Sequence, residues 1–208
     1  MIVVTLPVGM IQTNCYIVGC EESRTGAIID PGGDPARILA EVDRYQLKIE
    51  YVLDTHAHFD HTDANGAIVR ATGAPLALHS EDLPLLQASG GAAFFGLQAE
   101  PSPPPDIYLA DGDQLDVGTL CFQVLHTPGH TPGHVCFYEA DEGVLFDGDV
   151  LFYRGIGRTD LPGGSWEQLS DSIKRILFGL PDETVVYSGH GPATTIADEK
   201  KLNPWMQQ

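Results

Sequence analysis

Short apolar runs closed by glycine or proline clusters open the chain. Residues 2–6, 15–18 and 27–29 read as strands, and the third runs into the turn cluster Asp30-Pro31-Gly32-Gly33. The period then changes. Asp34-Pro35 offers an N-cap followed by proline at the first helical position, and Ile38, Leu39, Val42 and Tyr45 keep one apolar face. Tyr51-Val52-Leu53 reads as a strand end, residues 63–71 as a second helix and residues 76–78 as another strand. Ser80 is placed to cap a short helix reaching Leu86.

Residues 89–105 break the pattern with Gly90-Gly91 and then Pro101, Pro103, Pro104 and Pro105, which describes a long loop without its own core. Strand signals resume at once, at 107–109, 119–125, 135–138 and 144–146, so the loop reads as a functional segment rather than a domain boundary. Ser165-Trp166-Glu167-Gln168 has the capping-box form, and Trp166, Leu169, Ile173, Ile176 and Leu177 hold a helical stripe behind it. A last strand, 184–187, leads into Gly189-His190-Gly191, and no repeat of fixed period is present.

The 208 residues are enough for a sizeable core, and 43% hydrophobic content fits a folded chain. Eleven basic against 29 acidic residues give a formal charge of −18, which disfavours nucleic acid and anionic membrane as partners. No signal peptide or membrane span is evident, so a cytoplasmic location is expected. Cys15, Cys20, Cys121 and Cys136 contain no CxxC pair and read as buried free thiols.

The candidate chemistry is concentrated in His56-Ala57-His58-Phe59-Asp60-His61. In extended backbone, residues two apart share a face, so the His56 and His58 imidazoles can reach one ion. Asp60 and His61 then lie past the strand end and can serve a second. Three more candidates follow strands beside glycines: His130 in Thr127-Pro128-Gly129-His130, Asp149 in Asp147-Gly148-Asp149, and His190. The expected division is His56, His58 and His130 on one ion and Asp60, His61 and His190 on the other, with Asp149 between them. Imidazole with carboxylate suits zinc first, with iron or manganese as alternatives. His126 and His134 flank His130 and read as packing or supporting residues, and His79 as a local hydrogen-bonding residue.

In that order, these residues resemble the ligand set of the metallo-β-lactamase superfamily, and the chain is most similar to its short glyoxalase II-like hydrolases. Thr13-Asn14-Cys15-Tyr16, Thr127-Pro128-Gly129-His130-Thr131-Pro132-Gly133, Gly148-Asp149-Val150-Leu151-Phe152 and Gly157-Arg158-Thr159-Asp160-Leu161-Pro162-Gly163-Gly164 support the likeness, which covers essentially all of residues 1–208. The resemblance implies an α+β fold, an αββα sandwich of two mixed sheets with helices outside, as one domain. The C-terminal helical region that supplies glutathione contacts in larger glyoxalase II enzymes is not expected here. Aspartate at 149, where lactam-hydrolysing members carry cysteine, sets the chain apart from those members.

The implied activity is hydrolysis of a small-molecule thioester such as S-lactoylglutathione at two divalent ions. Asp60 and Asp149 would carry the catalytic site. Arg158 would pair with a substrate carboxylate or, alternatively, with Asp160 inside its own loop. Gly157-Arg158-Thr159-Asp160 also occurs in persulfide dioxygenases of the superfamily, where one iron is held by two histidines and an aspartate, at positions matching His58 or His56, His130 and Asp149. That is the alternative activity. Oligomeric state is left open by the sequence.

Overall fold

A computed structural model describes residues 1–207. Strands β1 (Ile2–Val8), β2 (Thr13–Gly19) and β3 (Thr25–Ile29) form an antiparallel meander. Helix α1 (Pro35–Tyr45) crosses to β4 (Lys48–Leu53), parallel to β3. Helices α2 (Phe59–Thr62) and α3 (Asn65–Thr72) lead to β5 (Leu76–His79), parallel to β4. Helix α4 (Leu83–Gln87) and a 3-10 segment, Ser89–Phe95, precede β6 (Ile107–Leu109), parallel to β5. These strands make one mixed sheet in the order β1-β2-β3-β4-β5-β6.

The second sheet begins with β7 (Gln114–Val117), β8 (Leu120–His126), β9 (Val135–Glu139) and β10 (Val144–Gly148), each antiparallel to the last. A ribbon of β11 (Leu151–Phe152) and β12 (Gly155–Ile156) and helix α5 (Trp166–Asp171) follow. Strand β13 (Val185–Ser188) then joins parallel to β10, β14 (Thr194–Thr195) closes the edge, and α6 (Ile196–Leu202) ends the fold. The sheet order is β14-β13-β10-β9-β8-β7.

Side-chain alternation explains the layering. In β2, Tyr16 and Val18 join the core between the sheets, where they meet Phe122, Phe137 and Phe146, while Cys15 and Ile17 face Ile38 of α1 and Ile68 of α3. In β9, Phe137 points inward and Cys136 and Tyr138 point outward, toward Leu169 of α5 and Ile196 of α6. Both sheets are therefore buried on two faces, giving the αββα sandwich. Truncating a fully buried ring such as Phe137 to alanine would cost about 3–5 kcal/mol.

Several local expectations are corrected. Asp34 does not cap α1 with its side chain: its φ is 48°, and its carboxylate accepts from the Gly9 amide at 3.0 Å. The helix expected over residues 63–71 starts at Asn65 and runs to Thr72, and a separate helical turn, Phe59–Thr62, precedes it; between them Asp63 accepts from the Glu100 amide. Asp60 and His61 thus sit on a helical turn. At the next boundary His79, not Ser80, is the capping residue, its Nδ1 accepting from the Glu81 amide at 3.3 Å.

The Ser165 cap is present, with its hydroxyl accepting from the Gln168 amide at 3.3 Å. Beyond Asp171 the helix widens into a π turn, Ser172–Ile176, where the buried Ser172 hydroxyl donates to Pro128 O at 2.8 Å. Residues 89–105 are not wholly irregular, since Ser89–Phe95 is helical around Gly90 and Gly91 at positive φ. All four cysteines are free, but Cys121 is only half-buried. Among the described residues, no helix is long and apolar enough to cross a membrane.

Candidate metal centre

One edge of the sandwich collects the ends of β4, β8, β10 and β13. His56 and His58 leave β4, Asp60 and His61 ride on α2, His130 lies in the β8–β9 turn, Asp149 follows β10, and His190 follows β13. The potential ligand atoms of His56, His58 and His130 lie within 4.8 Å of one another, as do those of His56, His61 and Asp149, and those of Asp60, His61 and His190. All seven sequence-predicted residues are therefore brought together.

Asp149 sits between the groups. Its Oδ1 is 3.5 Å from His61 Nε2, and its Oδ2 is 3.6 Å from His130 Nε2 and 3.7 Å from His190 Nε2. Asp60 Oδ2 is 3.3 Å from His190 Nε2 and 3.6 Å from His61 Nε2. Glycine makes this density possible: a Cβ at Gly189 would collide with Asp149 Oδ1 and the His61 ring. Gly129, at φ 135°, lets the turn bearing His130 lie against Leu169.

A supporting layer orients the imidazoles. His61 Nδ1 donates to Asp30 Oδ2 at 2.9 Å and His130 Nδ1 donates to Arg158 O at 2.7 Å. Thr55 gives its hydroxyl proton to Asp30 Oδ2 at 2.7 Å, so His56 Nδ1 donates to Thr55 Oγ1 at 3.1 Å. Each bond turns the Nε2 atom toward the centre, the arrangement usual behind metal-bound histidine. His58 uses the other nitrogen, its Nδ1 lying 2.9 Å from His130 Nε2. Thr13 Oγ1 donates to Asp60 Oδ2 at 2.8 Å, and His134 Nε2 accepts from the Asp149 amide at 3.1 Å.

The electrostatics keep most of these imidazoles neutral. Burial, then the neighbouring imidazoles, hold His56 and His134 well below the usual histidine range, and burial brings His58 down to about 3. Burial opposes charge on His61 as well, but Asp60, Asp149 and Asp30 outweigh it and raise His61. Burial works to raise the Asp149 carboxyl, yet His61 and His130 hold it below its ordinary value. Against the same penalty, His61 and His190 bring Asp60 to about 2.

The donor set fits divalent cations. His56 Nε2, His61 Nε2 and Asp149 Oδ1 are buried without a hydrogen-bond partner. Such atoms cost about 1–3 kcal/mol each when left unsatisfied. A divalent ion takes neutral imidazole and carboxylate together, which suits zinc, iron or manganese. A further trio, His79, Glu81 and His126, lies apart from the centre, but its two rings stack 10° from parallel at 4.3 Å. Their in-plane lone pairs do not converge, so stacking describes that pair better than chelation.

Asp30, Thr13 and Thr55 are the residues that sequence reasoning did not single out. Asp30 sits at φ 51°, 1% exposed, and also accepts from the Thr55 amide at 2.7 Å. Its signal was an acid in a turn cluster one strand away from the histidine motif. Arg158 is placed at the cavity mouth, where its guanidinium makes two 2.8 Å bonds to Asp160. Asp147 faces away from the ligand groups and accepts from the Leu151 amide at 2.8 Å.

Known proteins share this architecture. The metallo-beta-lactamase superfamily profile matches residues 8–190. Hydroxyacylglutathione hydrolase GloC of Haemophilus influenzae is 38% identical over 97% of this chain and 96% of its own. Persulfide dioxygenase ETHE1 of Bos taurus is 34% identical over 92% of this chain and 70% of its own. The crystal structure of BLEG-1 B3 metallo-beta-lactamase superposes with a TM-score of 0.94 at 40% identity and full coverage of both chains. TTHA1623 in a di-iron-bound form gives a TM-score of 0.89 at 43% identity, covering 99% of this chain and all of the other. The chain belongs to the metallo-beta-lactamase superfamily.

Proposed function

We propose that this member of the metallo-beta-lactamase superfamily is a dinuclear metal-dependent hydrolase of thioesters, similar to hydroxyacylglutathione hydrolase. The observation that carries the reading is the position of Asp149, whose carboxylate lies 3.6 Å from His130 in one group and 3.5 and 3.7 Å from His61 and His190 in the other. His56, His58 and His130 would hold one ion, Asp60, His61 and His190 the other, and Asp149 would touch both. Zinc is the first candidate; iron draws support from the di-iron form of TTHA1623, and manganese suits the same donors. Bound there, divalent ions supply Lewis acidity, which makes water a nucleophile at neutral pH and stabilises charge developing on a carbonyl oxygen.

The chain's own residues do the rest. Asp60, fixed by the Thr13 hydroxyl, and Asp149, fixed through its amide by His134, keep two ionised carboxylates beside the reaction centre. They are positioned to orient the attacking water toward the carbonyl. Phe59, Phe95 and Phe152 line the cavity and limit its hydration. Water adds to the carbonyl carbon, the carbon–sulfur bond breaks, and the products are a carboxylate, a thiol and a proton. The sulfur departs as a thiolate, so no strong general acid is needed in the cavity, and it takes up a proton afterwards.

Persulfide dioxygenation is the second reading, supported by the similarity to ETHE1. It needs one iron and leaves Asp60 and His190 without a task, although both converge with His61 on a second position. Thioester hydrolysis uses the whole cluster. The test pairs thioester cleavage with oxygen consumption on glutathione persulfide, using protein of measured metal content and including a β-lactam because of the likeness to BLEG-1. Cleavage without oxygen uptake is expected; oxygen uptake by a one-iron form without thioester cleavage would reverse the assignment.

A further inference from the structure

We infer that the cavity over this centre receives a thioester bearing an extended apolar group, gripped between the β1–β2 turn and the Ser89–Phe95 segment; the inference rests on the thioesterase reading. Large exposed apolar side chains are concentrated there. Met10 is 81% and Ile11 45% exposed on the turn, while Phe94 is 69% and Phe95 45% exposed on the segment. Isolated exposed hydrophobics need no explanation, but facing pairs at the rim of a functional cavity mark a binding surface.

One member of each pair opens onto the site. Ile11 and Phe95 share the walls of a cavity of about 370 Å³ with His58, Asp60, Asp149 and His190. Phe152, Ile156 and Leu161 continue that apolar wall. The two arms are seated on the site's own scaffold. A Cβ at Gly90 would collide with the Phe59 backbone, and the Phe95 ring lies 5.8 Å from that of Phe59. Gln12 Nε2 donates to Gly9 O at 2.7 Å, which closes the opposing turn.

Charge points the same way. Arg158 is the only lysine or arginine among the described residues lining the cavity, and Asp160 takes the Nε–Nη2 edge of its guanidinium in a bidentate pair that offsets its charge. A substrate with two free carboxylates, as in a glutathione thioester, finds only one lysine or arginine there, already paired with an acid, and meets a chain of formal charge −18. An apolar acyl group meets complementary walls instead. Full transfer of a methylene from water is worth about a fourfold change in an equilibrium or rate constant, so partial cover gives about two- to fourfold per methylene.

The test is a series of N-acetylcysteamine thioesters, from acetyl through butyryl and hexanoyl to octanoyl, with lactoyl for comparison, assayed on zinc-reconstituted protein. The kcat/KM is expected to rise about two- to fourfold per methylene, and Ile11→Ser or Phe95→Ser should flatten the slope. A binding arm avoids turnover: the S-octyl thioether of N-acetylcysteamine should bind more tightly than the S-methyl thioether by calorimetry. A flat series with equal thioether affinities overturns the apolar site while leaving thioester hydrolysis intact. Tight octyl binding that depends on Ile11 and Phe95, without cleavage of any thioester, supports the apolar site and overturns the hydrolase reading.

Discussion

Asp30 touches none of the candidate metal positions, yet replacing it by asparagine is expected to weaken one of them. Its Oδ1 accepts from the Thr55 amide at 2.7 Å, and its Oδ2 from the Thr55 hydroxyl at 2.7 Å and His61 Nδ1 at 2.9 Å. An asparagine offers one acceptor oxygen. If that oxygen keeps the Oδ2 contacts, the amide NH₂ is turned against the Thr55 N–H, and one buried charge-assisted bond becomes a donor–donor clash. Losing such a bond costs about 1.5–3 kcal/mol. His61 also exchanges an anionic partner for a neutral one, which makes its Nε2 a poorer ligand. Supporting residues of this kind alter metal affinity by about 10- to 100-fold.

Asp30→Asn should therefore lose about 2–3 kcal/mol of stability in the metal-free form and bind one of two zinc equivalents about 10- to 100-fold more weakly. Urea unfolding and chelator competition measure the two effects separately. Unchanged stability together with two unchanged zinc affinities would refute the role given to Asp30. A loss of stability alone would make it a packing residue.

Asp149→Asn should weaken both equivalents and abolish hydrolysis, whereas Asp147→Asn should retain both metals; the reverse pattern in metal analysis would show the ligand assignment to be wrong. Arg158→Ala and Asp160→Ala should produce similar, small losses of kcat/KM on charged and neutral thioesters, because the two side chains bond each other; a loss confined to carboxylate-bearing thioesters would restore Arg158 as a substrate contact.

The centre was legible where local geometry sufficed. His56 and His58 share a face because they are two apart in extended backbone, and each remaining candidate lies just past a strand beside glycine or a turn. The supporting layer was hidden because it depends on contacts between strands distant in sequence. Asp30 reaches His61 only because β3 pairs with β4 and Asp30 adopts a left-handed φ. Asp63 and Asp34 look like helix caps by residue type, but tertiary contacts with Glu100 and Gly9 take their carboxylates. Strand β7 shows only Leu115 and Val117 as buried apolar positions, too short an alternation to stand out. Helix α6 does carry a readable signal, since the Thr195 hydroxyl accepts from the Asp198 amide at 3.2 Å.

The central claim is that seven converging side chains serve two ions. Its most direct test is metal analysis of protein stripped by chelation and reloaded with zinc, iron or manganese, with thioesterase activity measured on the same samples. The expected result is two equivalents per chain, activity that appears only with metal, and loss of both equivalents in Asp149→Asn. A plateau at one equivalent with full activity, or undiminished activity in the stripped protein, would contradict it.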